Sequence, residues 1–129
     1  MTNCPCGNEL SYEKCCGPFH TEESNAPTAE QLMRSRYCAF IKKEYDYLET
    51  TLDPQTSHDF DNEGNRKWAE SVQLTKLEIV RAEEKGTKAI VEFKAHFDQD
   101  GASHVHHEVS KFRKQAGVWY FREGKVTRT

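Results

Sequence analysis

An α+β fold is expected from three features of this chain. One long stretch carries apolar residues at helical spacing, four later runs alternate apolar and polar residues, and turn residues separate those runs. Helices first and an antiparallel meander second is the plan these features predict.

Residues 3–20 hold four of the five cysteines and read as a compact knuckle, and 21–27 as a polar connector. Thr28 then has the chemistry of a helix N-cap. Gln31 completes a capping box, and Glu30 suits the positive end of the helix dipole. Met33, Tyr37, Phe40 and Ile41 recur at intervals of three and four, so a helix over about 28–42 buries one stripe. A short helical stretch is expected within 43–51, broken before Asp53-Pro54 because the residue preceding a proline avoids the helical region. Residues 53–65 are rich in turn formers, and 66–74 read as another short helix. From Lys76 the period becomes two, with Leu77, Ile79 and Arg81 on one face and Glu78, Val80 and Ala82 on the other. Val91, Phe93, Ala95 and Phe97 share a face, and further strands are expected near 103–114 and 117–123. Turns fall at Glu84-Lys85-Gly86, in 98–101 around Gly101, and at Gln115-Ala116-Gly117.

The 129 residues suffice for one core, with about two-thirds of the unfolded surface buried on folding. Net charge of −3 and a pI near 6.1 argue against a generic nucleic-acid binder. The basic residues Lys111, Arg113, Lys114, Arg122, Lys125 and Arg128 alternate with apolar ones, the pattern of a half-solvated sheet. No apolar run approaches the roughly eighteen residues a membrane span requires. The polar, cysteine-rich start lacks the basic-then-apolar signature of a signal peptide, so a cytoplasmic location is expected.

Cys4-Pro5-Cys6 and Cys15-Cys16 are poorly placed for disulfides, since bonds within either pair close strained rings. They suit four thiolates converging on one cation from the two arms of a hairpin with its tip at Gly7-Asn8. A tetrahedral Zn²⁺ accepts four sulfurs at about 2.3 Å whatever their separation in sequence. An iron–sulfur cluster also takes four thiolates, and spacing alone does not separate the two. Four protein ligands close the shell, so the metal is expected to be structural.

Cys4-Pro5-Cys6-Gly7, Tyr12 and Cys15-Cys16-Gly17 resemble the SEC-C zinc motif, known from the tail of the bacterial preprotein translocase ATPase. Residues 26–30 from Ala26 to Glu30, the block Arg34-Ser35-Arg36-Tyr37-Cys38-Ala39-Phe40, Asp46-Tyr47-Leu48, Trp68, 107–112 and Trp119-Tyr120-Phe121 resemble the YchJ-like family of small bacterial proteins. That resemblance implies a SEC-C knuckle over 1–24 and a nuclear transport factor 2-like (cystatin-like) domain over 25–129, a curved four-stranded sheet wrapped on the long helix. It also implies Cys4, Cys6, Cys15 and Cys16 as zinc ligands. The translocase version can end in histidine, which makes His20 the runner-up ligand. The usual Gly-Ser-Gly after the second cysteine is here Gly7-Asn8-Glu9. The translocase motif is basic and docks on an acidic export chaperone, whereas this N-terminal segment sets four glutamates against Lys14. A partner chosen by charge would therefore be basic or neutral.

In the second domain, Arg36, Tyr37 and His107 are the candidates for a concave pocket. Strand alternation puts His107 with Val105 and Val109, on what reads as the apolar side, and turns His104, His106 and Glu108 toward solvent. Cys38 reads as a small buried hydrophobe. With a closed metal site and no assembled catalytic set, the function expected is a zinc-stabilised protein-interaction or adaptor module with a protein partner. The alternative is an enzyme or small-ligand-binding protein using the pocket.

Overall fold

The computed structural model describes residues 4–7, 10–21 and 23–126. Gly7 has the positive φ (+95°) expected of a tip residue, while Asn8 and Glu9 lie outside the described residues. Among the described residues four α-helices come first: α1 (Gly17–His20), α2 (Ala29–Lys42), α3 (Tyr45–Thr50) and α4 (Asn62–Ser71). Four strands follow: β1 (Gln73–Lys85), β2 (Lys88–Gln99), β3 (Ala102–Gln115) and β4 (Val118–Val126). They form one antiparallel sheet in chain order.

Local chemistry explains most boundaries. The Thr28 hydroxyl accepts the Gln31 amide at 3.1 Å to open α2, and Lys43, at φ +61°, closes it with the Glu44 amide returning to the Ala39 carbonyl. α4 starts four residues earlier than the sequence reading placed it, because the Asp61 carboxylate caps it by accepting the Gly64 amide at 2.9 Å. The hairpins at Asp100-Gly101 and Ala116-Gly117 have positive φ at both central residues. That is the turn whose twist matches paired strands.

Strand β1 departs from simple alternation. A bulge between Ile79 and Arg81 pushes Val80 out of register, so Arg81 pairs with Glu92 and Ala82 with Val91. Arg81 was expected on the face of Leu77 and Ile79; the inserted residue moves it to the opposite one. Ala82 takes the inner position. Val91, Phe93 and Ala95 of β2 face inward and join Leu32, Met33 and Tyr37 of α2 in the core. Each large side chain so buried contributes roughly 1.5–3 kcal/mol.

The connection after α3 is pinned to the sheet. Leu52 forms a parallel bridge with Phe121, and the Asp53 amide donates to the Phe121 carbonyl at 2.8 Å. The fully buried Asp53 carboxylate accepts two bonds from Arg113 (2.7 and 2.8 Å), one from Arg122 (3.1 Å) and one from the Gln55 amide. Two arginines that read as solvated sheet residues thus hold the helical layer to β3 and β4. Chiefly through the Arg113 hydrogen bonds, the Asp53 carboxyl is held down to about 2. The folded chain therefore binds that proton less readily than the unfolded one. The resulting stabilisation of about 2 kcal/mol is complete at neutral pH and disappears as pH falls from about 4 through about 2. Asp53→Asn is expected to cost about 3 kcal/mol in denaturant titrations at pH 7 and to flatten the acid limb of the stability curve. A cost under about 0.5 kcal/mol would show that the arginines do not depend on this carboxylate.

Candidate metal centre and adjoining cavity

The four N-terminal cysteines meet because tight local turns bring both pairs inward. The Cys4 amide donates to the Leu10 carbonyl at 2.7 Å, closing the first arm. Cys15 ends the turn at Tyr12–Lys14, and Cys16 immediately precedes α1. Gly17 has no room for a side chain, since a Cβ there would stand 2.9 Å from the Tyr12 carbonyl. The Sγ atoms of Cys4, Cys6, Cys15 and Cys16 all lie within 4.8 Å of one another, with Cys6–Cys15 at 3.6 Å and Cys15–Cys16 at 3.9 Å. Sulfurs at 2.3 Å from the centre of a tetrahedron stand about 3.8 Å apart, so the spacing fits one cation.

Burial pushes the Cys4 thiol up to about 12 and raises Cys15 as well. Such a set holds protons at neutral pH unless a cation replaces them, which couples metal binding to proton release. His20 does not belong to the set: its Nδ1 bonds the Tyr12 hydroxyl at 2.7 Å and its Nε2 the Ser35 carbonyl at 2.8 Å. Both ring nitrogens are thus engaged, Nδ1 within the knuckle and Nε2 in fastening it to α2. The fifth cysteine, Cys38 on α2, is fully buried with Sγ 3.9 Å from that of Cys4. It backs the cluster from the helix side. Arg34 completes the junction by donating to the Cys6 carbonyl at 2.8 Å, which puts a cation beside a centre that four thiolates and a divalent ion would leave at about −2.

The other side of α2 borders a cavity of about 450 Å³ between the helices and the inner face of the sheet. Its wall is largely aromatic, including Phe40, Phe60, Trp68 and Phe93, and Trp68 meets Phe40 edge-on at 6.0 Å. Arg36 and Tyr37 reach it from α2, as the sequence reading expected. His107 does not. It faces the outer side of the sheet, where its Nε2 bonds Glu92 at 2.7 Å. In its place the structure brings His106 and Glu108, which pair at 2.9 Å inside the cavity. The Ser110 hydroxyl donates to the same carboxylate. The expectation failed because Val105, treated as core, is half exposed at 52%. The polar alternate positions face inward and the valine outward. Hairpin register carried the missed signal: counting from the Asp100-Gly101 turn puts His106 opposite Ala95 and Glu108 opposite Phe93, on the buried face of β2.

Electrostatics in the cavity are polarised. Burial works to raise the Glu108 carboxyl, but hydrogen bonds from His106 and Ser110 outweigh it and hold the group below its ordinary value. Burial pulls the Arg36 guanidinium down to about 10, so it remains a cation at neutral pH. Gly124 leaves the space that the Glu108 carboxylate fills; a Cβ there would collide with it.

Two outcomes follow from this geometry. Cys16→Ser should abolish stoichiometric metal, whereas Cys38→Ser should retain one ion per chain by elemental analysis; loss in both would place Cys38 among the ligands. Gly124→Ala should displace the Glu108 carboxylate and lower stability by about 1–3 kcal/mol, the loss of charged hydrogen bonds. Wild-type stability in that variant would mean that Gly124 is not the cradle.

A family model for the YchJ middle domain, described as NTF2-like, matches residues 28–124. A UPF0225 protein of Geobacter sulfurreducens is 44% identical over 128 residues, covering 96% of this chain and 80% of that protein. The solution structure of a SEC-C motif containing protein from Rhodopseudomonas palustris superposes with a TM-score of 0.92 at 41% identity, covering 98% of this chain and all of that one. A second SEC-C motif containing protein, from Psychrobacter arcticus, gives 0.84 at 31% identity, covering all of this chain and 85% of that one. The family model and these relatives agree, and the chain belongs to the YchJ-like, UPF0225 family.

Proposed function

We propose that this protein binds a small ligand in the cavity between α2 and the sheet, and that its thiolate knuckle holds a structural zinc ion which fixes α2. One observation carries the reading: a cavity of about 450 Å³ gathers Arg36 from a helix and His106 and Glu108 from a strand inside an aromatic wall. That combination of apolar lining and a few convergent polar groups is characteristic of small-molecule sites. Zinc is favoured over an iron–sulfur cluster by the sulfur spacing, because a cluster occupies the volume between its cysteines and a single ion does not.

The protein-partner reading has its own support on the outer side of the knuckle. Leu10 is half exposed there, beside the exposed Glu13 and Lys14. Among the described residues no helix is long and apolar enough to cross a membrane, and neither reading involves one.

A fragment screen read by protein NMR separates the two. Ligand binding predicts hits that shift the Trp68 indole and Phe93 signals. A screen that leaves those signals unmoved, together with a protein partner that perturbs Leu10 and Lys14, would replace the pocket by the adaptor reading.

A further inference from the structure

The cavity has a buried cation that forms no direct ion pair with a carboxylate among the described residues. Arg36 is only 6% exposed, and its Nη1 donates to the Leu48 carbonyl at 2.8 Å and to the Thr51 hydroxyl. Those partners are neutral. The side-chain hydrogen bonds of Arg36 run from Nη1, and Glu108 acts on the guanidinium through space, without direct contact. Glu108 borders the same cavity but is already committed to His106 and Ser110 in the space left by Gly124. The Phe121 ring lies under the guanidinium, 4.5 Å from centroid to Cζ, and holds it flat. Next to Arg36, Tyr37 also borders the cavity and buries a hydroxyl with no partner among the described residues. An unpaired buried guanidinium is costly, and a bidentate carboxylate is the group whose geometry offsets that cost best.

We propose that the ligand is a small, flat apolar acid whose carboxylate is gripped by Arg36 and whose ring system packs against Trp68, Phe40 and Phe93. This rests on the pocket reading above and adds the ligand's chemical class to it. Glu108, within electrostatic reach of Arg36, disfavours a second negative charge, so monoacids should be preferred to diacids. Arg36 fixes the orientation, with the carboxylate at α2 and the apolar body toward the sheet.

Calorimetry with 2-naphthoate and its neutral counterpart 2-naphthamide, two probes of the same shape, tests the assignment on the intact, metal-loaded protein. The acid should bind about tenfold more tightly than the amide. Arg36→Met should bring the acid down to the level of the amide. Equal affinity for acid and amide would overturn the inference and leave the pocket reading standing. If neither probe binds at millimolar concentration, both fall. Should Arg36→Met fail to fold, the acid-to-amide ratio of the native protein decides the matter by the same criteria.

Discussion

Helix α2 is clasped on two sides, and the rest of the molecule is arranged around that constraint. On one side Cys38 backs the thiolate cluster, Ser35 receives His20 and Arg34 holds the Cys6 carbonyl. On the other, Leu32, Met33 and Tyr37 join the core of the sheet. A knuckle of about twenty residues has little apolar mass of its own, so its order would rest on a bound cation and on this helix together. The two halves read from the sequence therefore share one hydrophobic cluster that includes Cys4, Cys6 and Cys16. Because Arg36 lies two residues from Cys38, whatever steadies the knuckle also steadies the cation in the cavity.

Much of the architecture was legible because local signals agreed with the global plan. Thr28 and Gln31 announced the start of α2, and glycine turns announced the hairpins of the meander. The convergence of the four N-terminal cysteines was legible from their pairing, since CxC and CC are poorly placed for disulfides. His20 misled because proximity in sequence said nothing about its hydrogen bonds to Tyr12 and Ser35. The order of residues did not show Asp53, whose partners Arg113 and Arg122 lie far along the chain.

The cavity was the part least legible, for a physical reason. Alternation assigns faces by assuming that apolar residues point inward. Along β3 that assumption inverts, because His106, Glu108 and Ser110 occupy the inner positions while Val105 is out in solvent. Polar groups on a buried face carry a desolvation cost that packing alone would not select. Local rules tend to break at sites built for chemistry or binding. The His106–Glu108–Ser110 row, backed by Gly124, is such a break, and a reading by register instead of by hydropathy would have found it.

The central claim is that a cation in the thiolate knuckle holds α2 in place. Hydrogen exchange of the α2 amides, measured on metal-loaded protein and again after chelation under reducing conditions, addresses it most directly. The account predicts that protection across Leu32–Ala39 drops markedly once the metal is removed, while the strands β2 and β3 stay protected. Unchanged protection of α2 in metal-free protein, with the knuckle still ordered, would contradict it.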